Sequence, residues 1–243
     1  MGYAATSVQK GELKHEYPPQ FRYYDILVSI FVAVLLVSNI VAPKLVSVGP
    51  MLLSGAQLLF PITYIFGDIF TEVYGYAGSR RAIWNGFLAS LLMATISAII
   101  IAIPPAEGWG HQQAYETVLG QVPRIVVASL IAYWAGEFTN SFVMARMKVL
   151  SGGKHLWMRT IGSTAVGQAV DTVLVMIIAF GGVMTIDQII KVITSGYLFK
   201  LAYEIAATPL TYLVVNFLKR KEGVDIIDSD TDFNPFKAKI AAH

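Results

Sequence analysis

The chain has 243 residues, of which 55% are hydrophobic and only 14% charged, against about 25% charged in ordinary soluble domains. With a mean hydropathy of +0.59 this excludes a soluble globular domain, and an all-α polytopic membrane protein is expected. The net charge of +2 names no partner, and the absence of cysteine excludes a disulfide framework or a thiolate metal site.

Residues 1–22 read as a polar tail ending near Pro18-Pro19, without the apolar core of a cleavable signal peptide. Residues 23–220 then hold six apolar segments, each near the roughly 20 residues that a spanning helix needs. The first runs from about Tyr23 to Ala42 and is stopped by Pro43-Lys44. The second runs from Leu52 to Tyr76, and the third from Ala82 to Ile103, before Pro104-Pro105. The fourth, Val122 to Ala145, has Pro123 in its first turn. The fifth, Thr160 to Phe180, closes at Gly181-Gly182, where Gly162 and Gly167 suggest close helix packing. The sixth runs from Ile193 to Leu218, with Pro209 as a kink candidate. Residues 221–243 form a polar tail too short for a domain. No internal repeat is clear enough to indicate an inverted-repeat transporter.

Basic residues concentrate in alternate loops, on one side of the expected bundle. Lys10, Lys14 and Arg22 precede the first span, Arg80 and Arg81 fall between the second and third, and Arg146, Lys148, Lys154 and Arg159 between the fourth and fifth. Further lysines and arginines follow the sixth. The positive-inside rule therefore expects both termini in the cytoplasm, which an even number of spans also requires. The third-to-fourth loop, with Trp109 and Tyr115 and no lysine or arginine, reads as external.

Four spans carry a pair of strong polar groups three or four residues apart: Asp68 and Glu72, Glu137 and Asn140, Gln168 and Asp171, Lys200 and Glu204. Such spacing places each pair on one helix face. A carboxylate in hydrocarbon costs a few kcal/mol even on lenient insertion scales, so these groups are expected to face protein or a wet cavity. One such pair is explained by helix packing. Four at compatible depths favour a shared polar cavity, in which five carboxylates face one cation, Lys200. Carboxylates and amides together suit a flat heterocycle rich in N–H donors, with Tyr64, Trp134, Phe138 and Tyr203 as candidates for a stacking wall. Asn39 and Asn85 read equally well as gate, ligand contact or helix glue, and Arg80 and Arg81 as topology anchors.

The stretches SNIVAPKLVSVG, FPITYIFGDIFTEVYGYAGSRRAIWNGF and RTIGSTAVGQAVDTVL, with Lys200, Glu204, Thr208-Pro209 and a tail reading DFNPF, resemble the queuosine precursor transporter family. That family was formerly grouped as putative vitamin uptake transporters, and the resemblance spans nearly the whole chain. It implies a six-helix inner-membrane transporter, not an enzyme, importing 7-deazaguanine precursors of the tRNA nucleoside queuosine: preQ0, preQ1, with queuine a further candidate. It implies binding roles for Asn39, Asp68, Glu72, Asp171, Lys200 and Glu204. Glu137, Asn140, Gln168 and Trp134 enter through the residue reading. No metal, cofactor or direct nucleic-acid contact is implied; the bilayer and a homo-oligomer are the other expected partners. Lys200 is expected to neutralise one acid, with Asp171 the first choice.

Two alternatives remain at this stage. A substrate-binding subunit of an energy-coupling-factor vitamin importer also has about six helices, and would depend on separate ATPase subunits, as this chain has no P-loop. A membrane-embedded hydrolase could use an Asp68–Asp171 dyad. Against it, the four histidines, His15, His111, His155 and His243, all lie outside the spans, so no histidine-held metal is expected there.

Overall fold

The computed structural model describes residues 21–48, 51–120, 123–182 and 185–236. The N-terminal tail lies outside these residues except for Phe21 and Arg22, as does the far end of the C-terminal tail. In chain order the elements are α1 (Tyr24–Val41), β1 (Leu45–Val48), β2 (Met51–Ser54), α2 (Gly55–Ala102), α3 (Gln112–Leu119), α4 (Pro123–Leu150), α5 (Leu156–Phe180) and α6 (Ile186–Glu222). The chain is overwhelmingly helical. The one sheet among the described residues is a short antiparallel hairpin, with Leu45 opposite Ser54 and Val48 opposite Met51. That hairpin was not expected from the sequence; it takes up the start of the expected second span, so the helix begins at Gly55.

Among the described residues four helices are long and apolar enough to cross a membrane: Tyr24–Val41, Pro61–Ala102, Leu156–Ala179 and Gly196–Glu222. The 28-residue α4 is long enough, but Glu137, Asn140, Arg146 and Lys148 interrupt its apolar sequence. The α2 segment needs separate treatment, because its 48 residues would reach roughly 72 Å if straight. It is not straight. Gly75, at φ 71° and ψ 176°, breaks the helix, in a region of backbone space that is essentially restricted to glycine.

The packing shows that the chain doubles back there. The Phe31 ring of α1 lies 5.6 Å from the Phe70 ring and 6.1 Å from Phe66, both before the break. The same Phe31 would stand 3.0 Å from a Cβ placed on Gly86, beyond the break. On a straight helix residues 66 and 86 would be about 30 Å apart. Tyr24 makes the same link nearer the turn, packing on Phe70 and Tyr74 while its hydroxyl donates to the Gly78 carbonyl at 2.7 Å. The expected second and third spans are thus the two limbs of α2, with the tyrosine-glycine pair at the reversal.

The C-terminal tail holds this reversal. Asp228 accepts the Tyr76 backbone N–H at 3.0 and 3.2 Å, capping the second limb where helical N–H groups lack internal partners. Tyr76 Oη donates to the Phe233 carbonyl at 2.9 Å, Arg80 to the carbonyls of Asp232 and Asn234, and Trp84 Nε1 to that of Pro235 at 2.7 Å. Arg80 therefore does more than mark topology. Phe233 and Phe236 complete an aromatic cluster with Tyr76, Trp84, Trp134 and Phe142. The DFNPF stretch is a strap across the turn.

Helices α4 and α5 pack glycine against glycine. A Cβ on Gly167 would lie 2.9 Å from the Gly136 carbonyl oxygen, and one on Gly136 would lie 3.2 Å from that of Gly167. Small residues permit such close approach between helices in membranes. Helix α6 continues through Pro209.

Gly75→Ala is expected to destabilise the protein by about 1–2 kcal/mol from the backbone alone. Its Cβ would also meet Ile226 at 2.7 Å. Thermal unfolding in detergent should show a lowered midpoint; an unchanged midpoint would mean that the reversal tolerates an ordinary residue.

Candidate functional site

Asp68 and Glu72 lie one turn apart on the first limb of α2, both buried, yet they belong to two different clusters. Each cluster draws on α4, α5 and α6.

Around Glu72 the surroundings are cationic. One carboxylate oxygen, Oε1, lies 2.8 Å from Arg159 Nη2, 2.6 Å from Lys219 Nζ and 3.6 Å from Lys148 Nζ. Lys148, itself buried, also donates to the Glu72 and Ile226 carbonyls, both at 2.7 Å, and to Asp225 at 2.6 Å. Its three N–H donors thus find acceptors. Arg159 donates further to Ser151 and to the Lys154 carbonyl. The expectation that Lys200 alone faces five acids is corrected here. It considered only charges inside the spans, whereas Lys148, Arg159 and Lys219 reach inward from helix ends. These three and Asp225 were missed as site residues because local spacing cannot say which helix ends converge.

Around Asp68 the surroundings are acceptor-rich. Asp68 Oδ1 accepts from Asn140 Nδ2 at 3.0 Å and from Ser163 Oγ at 3.4 Å. Glu137 and Glu204 are fully buried and within electrostatic reach of Asp68. Gly67 makes room for them, since a Cβ there would stand 2.7 Å from Glu137 Oε2. Asp171 accepts from Lys200 Nζ at 3.0 Å, the pairing favoured from the sequence. The Tyr64 hydroxyl and the Asp171 side chain would each lie 2.8 Å from a Cβ on Gly136, so the Gly136–Gly167 contact also brings Tyr64 into this cluster. Buried acceptor oxygens without a hydrogen-bond partner include Asp68 Oδ2, Asn140 Oδ1, Gln168 Oε1 and both oxygens of Glu137 and Glu204. Buried polar groups are ordinarily satisfied, so this concentration of open acceptors sets the cluster apart. Among the described residues, no group of three or more histidines and carboxylates is placed to hold a metal ion.

Asn39 Nδ2 donates to the Leu35 carbonyl of its own helix at 3.1 Å. Trp134 packs on Phe138 at 5.0 Å and Phe236 at 5.5 Å, in the aromatic cluster under the strap.

Two measurements follow from this geometry. Asp171→Asn and Lys200→Met, alone and combined, should show a coupling of about 0.5–3 kcal/mol in thermal stability; strict additivity would remove the pairing. Asp225 lies beyond α6. Burial works to raise its pKa, but contacts with Lys148 and Lys219 outweigh this and hold its carboxyl below the ordinary value of 3.8. A depressed carboxylate stabilises fully above its unfolded value and loses that effect as pH falls through its folded one. Asp225→Asn should therefore lower the unfolding midpoint at neutral pH, with the difference from the parent shrinking below pH 3.8; a pH-independent difference would contradict the charge pairing.

No solved structure matches the chain. A protein of Bacillus subtilis (strain 168) named "Probable queuosine precursor transporter" is 27% identical over 186 residues, covering 76% of this chain and 81% of that one. Residues 54–214, most of the chain and all of the site described above except its Lys219 and Asp225 ends, match the family model described as "Putative vitamin uptake transporter". The chain belongs to that family of membrane transporters and is not an enzyme.

Proposed function

We propose that this protein imports queuosine precursors, the 7-deazaguanines preQ0 and preQ1 with queuine a further candidate, across the inner membrane. The carrying observation is the set of unpartnered acceptors on Asp68, Glu137, Asn140, Gln168 and Glu204, buried between α2, α4, α5 and α6. A guanine-like edge presents an adjacent ring N–H and amino group, which a carboxylate accepts in parallel. The name of the Bacillus subtilis relative supports the same substrate class.

In this reading the protein spans the membrane six times, with α1, both limbs of α2, α4, α5 and α6 as the spans and both termini cytoplasmic. The side bearing Arg80, Arg81, Arg146, Lys148, Arg159 and Lys219 is the cytoplasmic one. Substrate enters from the opposite side and is held by Asp68, Glu137, Asn140, Gln168 and Glu204, with Asp171–Lys200 at the edge. Glu72 and its three cations then form the barrier on the cytoplasmic side, and the substrate leaves when that cluster separates. Asn39 and Trp134 act on the surrounding packing.

The test is precursor salvage. A bacterium unable to make preQ0 and lacking its own importer would express this protein, be fed nanomolar preQ0 or preQ1, and be assayed for queuosine in its tRNA. Queuosine should return with the intact chain and not with Asp68→Ala. No return despite confirmed membrane expression would reject the substrate reading.

A further inference from the structure

Glu137 of α4 and Glu204 of α6 are fully buried, and none of their four carboxylate oxygens has a hydrogen-bond partner. Among the described residues no lysine, arginine or histidine donates a hydrogen bond to either. The cations that do enter the core are committed elsewhere: Lys200 lies on Asp171, and Lys148, Arg159 and Lys219 on Glu72. A buried carboxylate without a counter-charge is strongly unfavourable. Two of them, within electrostatic reach of each other, favour a cation brought in by a ligand.

Asn140 adds an independent feature. Its Nδ2 is committed to Asp68, while its carbonyl Oδ1 is buried without a donor. It sits one turn beyond Glu137, and the two side chains converge over Gly67, where a Cβ would lie 2.7 Å from Glu137 Oε2 and 3.5 Å from Asn140 Nδ2. A primary ammonium has three N–H donors and no acceptor, one donor for each of these three side chains.

We propose that Glu137, Glu204 and the Asn140 carbonyl form a subsite for a primary ammonium carried by the ligand. Resting on the substrate reading above, this makes the transporter selective for the aminomethyl-bearing 7-deazaguanine over its neutral 7-cyano counterpart. Asp68, whose Oδ2 is free of partners, then takes the guanine-like edge. The subsite reads the substituent, and Asp68 reads the ring.

The test is equilibrium binding of both compounds to the purified full-length chain in lipid nanodiscs. The intact protein should bind the aminomethyl compound about tenfold to a hundredfold more tightly. Glu137→Gln and Glu204→Gln, which keep volume, should each remove most of that preference, and a preference that survives both substitutions would overturn the subsite. Equal affinity of the intact protein for both compounds would overturn the subsite while leaving the substrate reading in place, and this comparison needs no variant to fold. Binding of neither compound would overturn the substrate reading and the subsite with it. A preference that vanishes when N-methylglucamine replaces sodium would assign the carboxylates to an inorganic cation and overturn the proposal.

Discussion

A single carboxylate oxygen, Glu72 Oε1, gathers cations from α4, α5 and α6 onto the first limb of α2. The strap joins through Asp225, which contacts both Lys148 and Lys219. Removing one partner from such a buried cluster leaves the others uncompensated, at about 3–5 kcal/mol for a typical buried pair. Helix α1 is tied to the same end by Glu222, which accepts the backbone N–H groups of Arg22 and Tyr23 and the Tyr74 hydroxyl. Every long helix is therefore anchored at one end of the bundle by ionic or charge-assisted contacts. Without those contacts, the burial of Glu72, Lys148 and Arg159 would be hard to sustain.

One turn away, the same physics runs in the opposite direction. Asp68 has an amide and a hydroxyl for company, and Glu137 and Glu204 have no partners. A protein optimised only for stability would not leave these groups so. The excess of acceptors beside a fully compensated cluster divides the core into a part that holds the helices together and a part that awaits something else. Unsatisfied polar groups in an otherwise satisfied interior are characteristic of sites under functional constraint.

Much of this was legible in the sequence. Apolar segments of the right length located the helices, and the polar pairs at spacings of three and four picked out Asp68, Glu137, Asn140, Gln168, Asp171 and Glu204 as buried residues. Lys200 with Asp171 could be favoured because Lys200 was the sole cation inside a span. What local pattern could not carry was the assignment of Glu72, whose partners come from three separate helix ends. The strap was illegible for the same reason. DFNPF looks like a polar tail until Tyr76, Arg80 and Trp84 are brought beside it, and that depends on the reversal at Gly75. Trp134 and Phe138 are apolar neighbours of an acidic pair in sequence, but aromatic packing with Trp84 and Phe236 draws them toward the strap. The short hairpin before α2 was missed because an apolar run of that length reads equally as the start of a helix.

The strap has a consequence for how the molecule is made. A chain synthesised from its N-terminus makes both limbs of α2 long before Asp228 exists to cap Tyr76, 152 residues earlier. Until α4, α5 and α6 follow, Glu72 is without its cations, and Tyr76, Arg80 and Trp84 lack the carbonyls that receive them. The first helical hairpin is therefore born incomplete and is finished only by the last stretch of the chain. Assembly closes like a clasp from the C-terminal side, so removal of residues 225–236 reaches back to an early-made part of the fold.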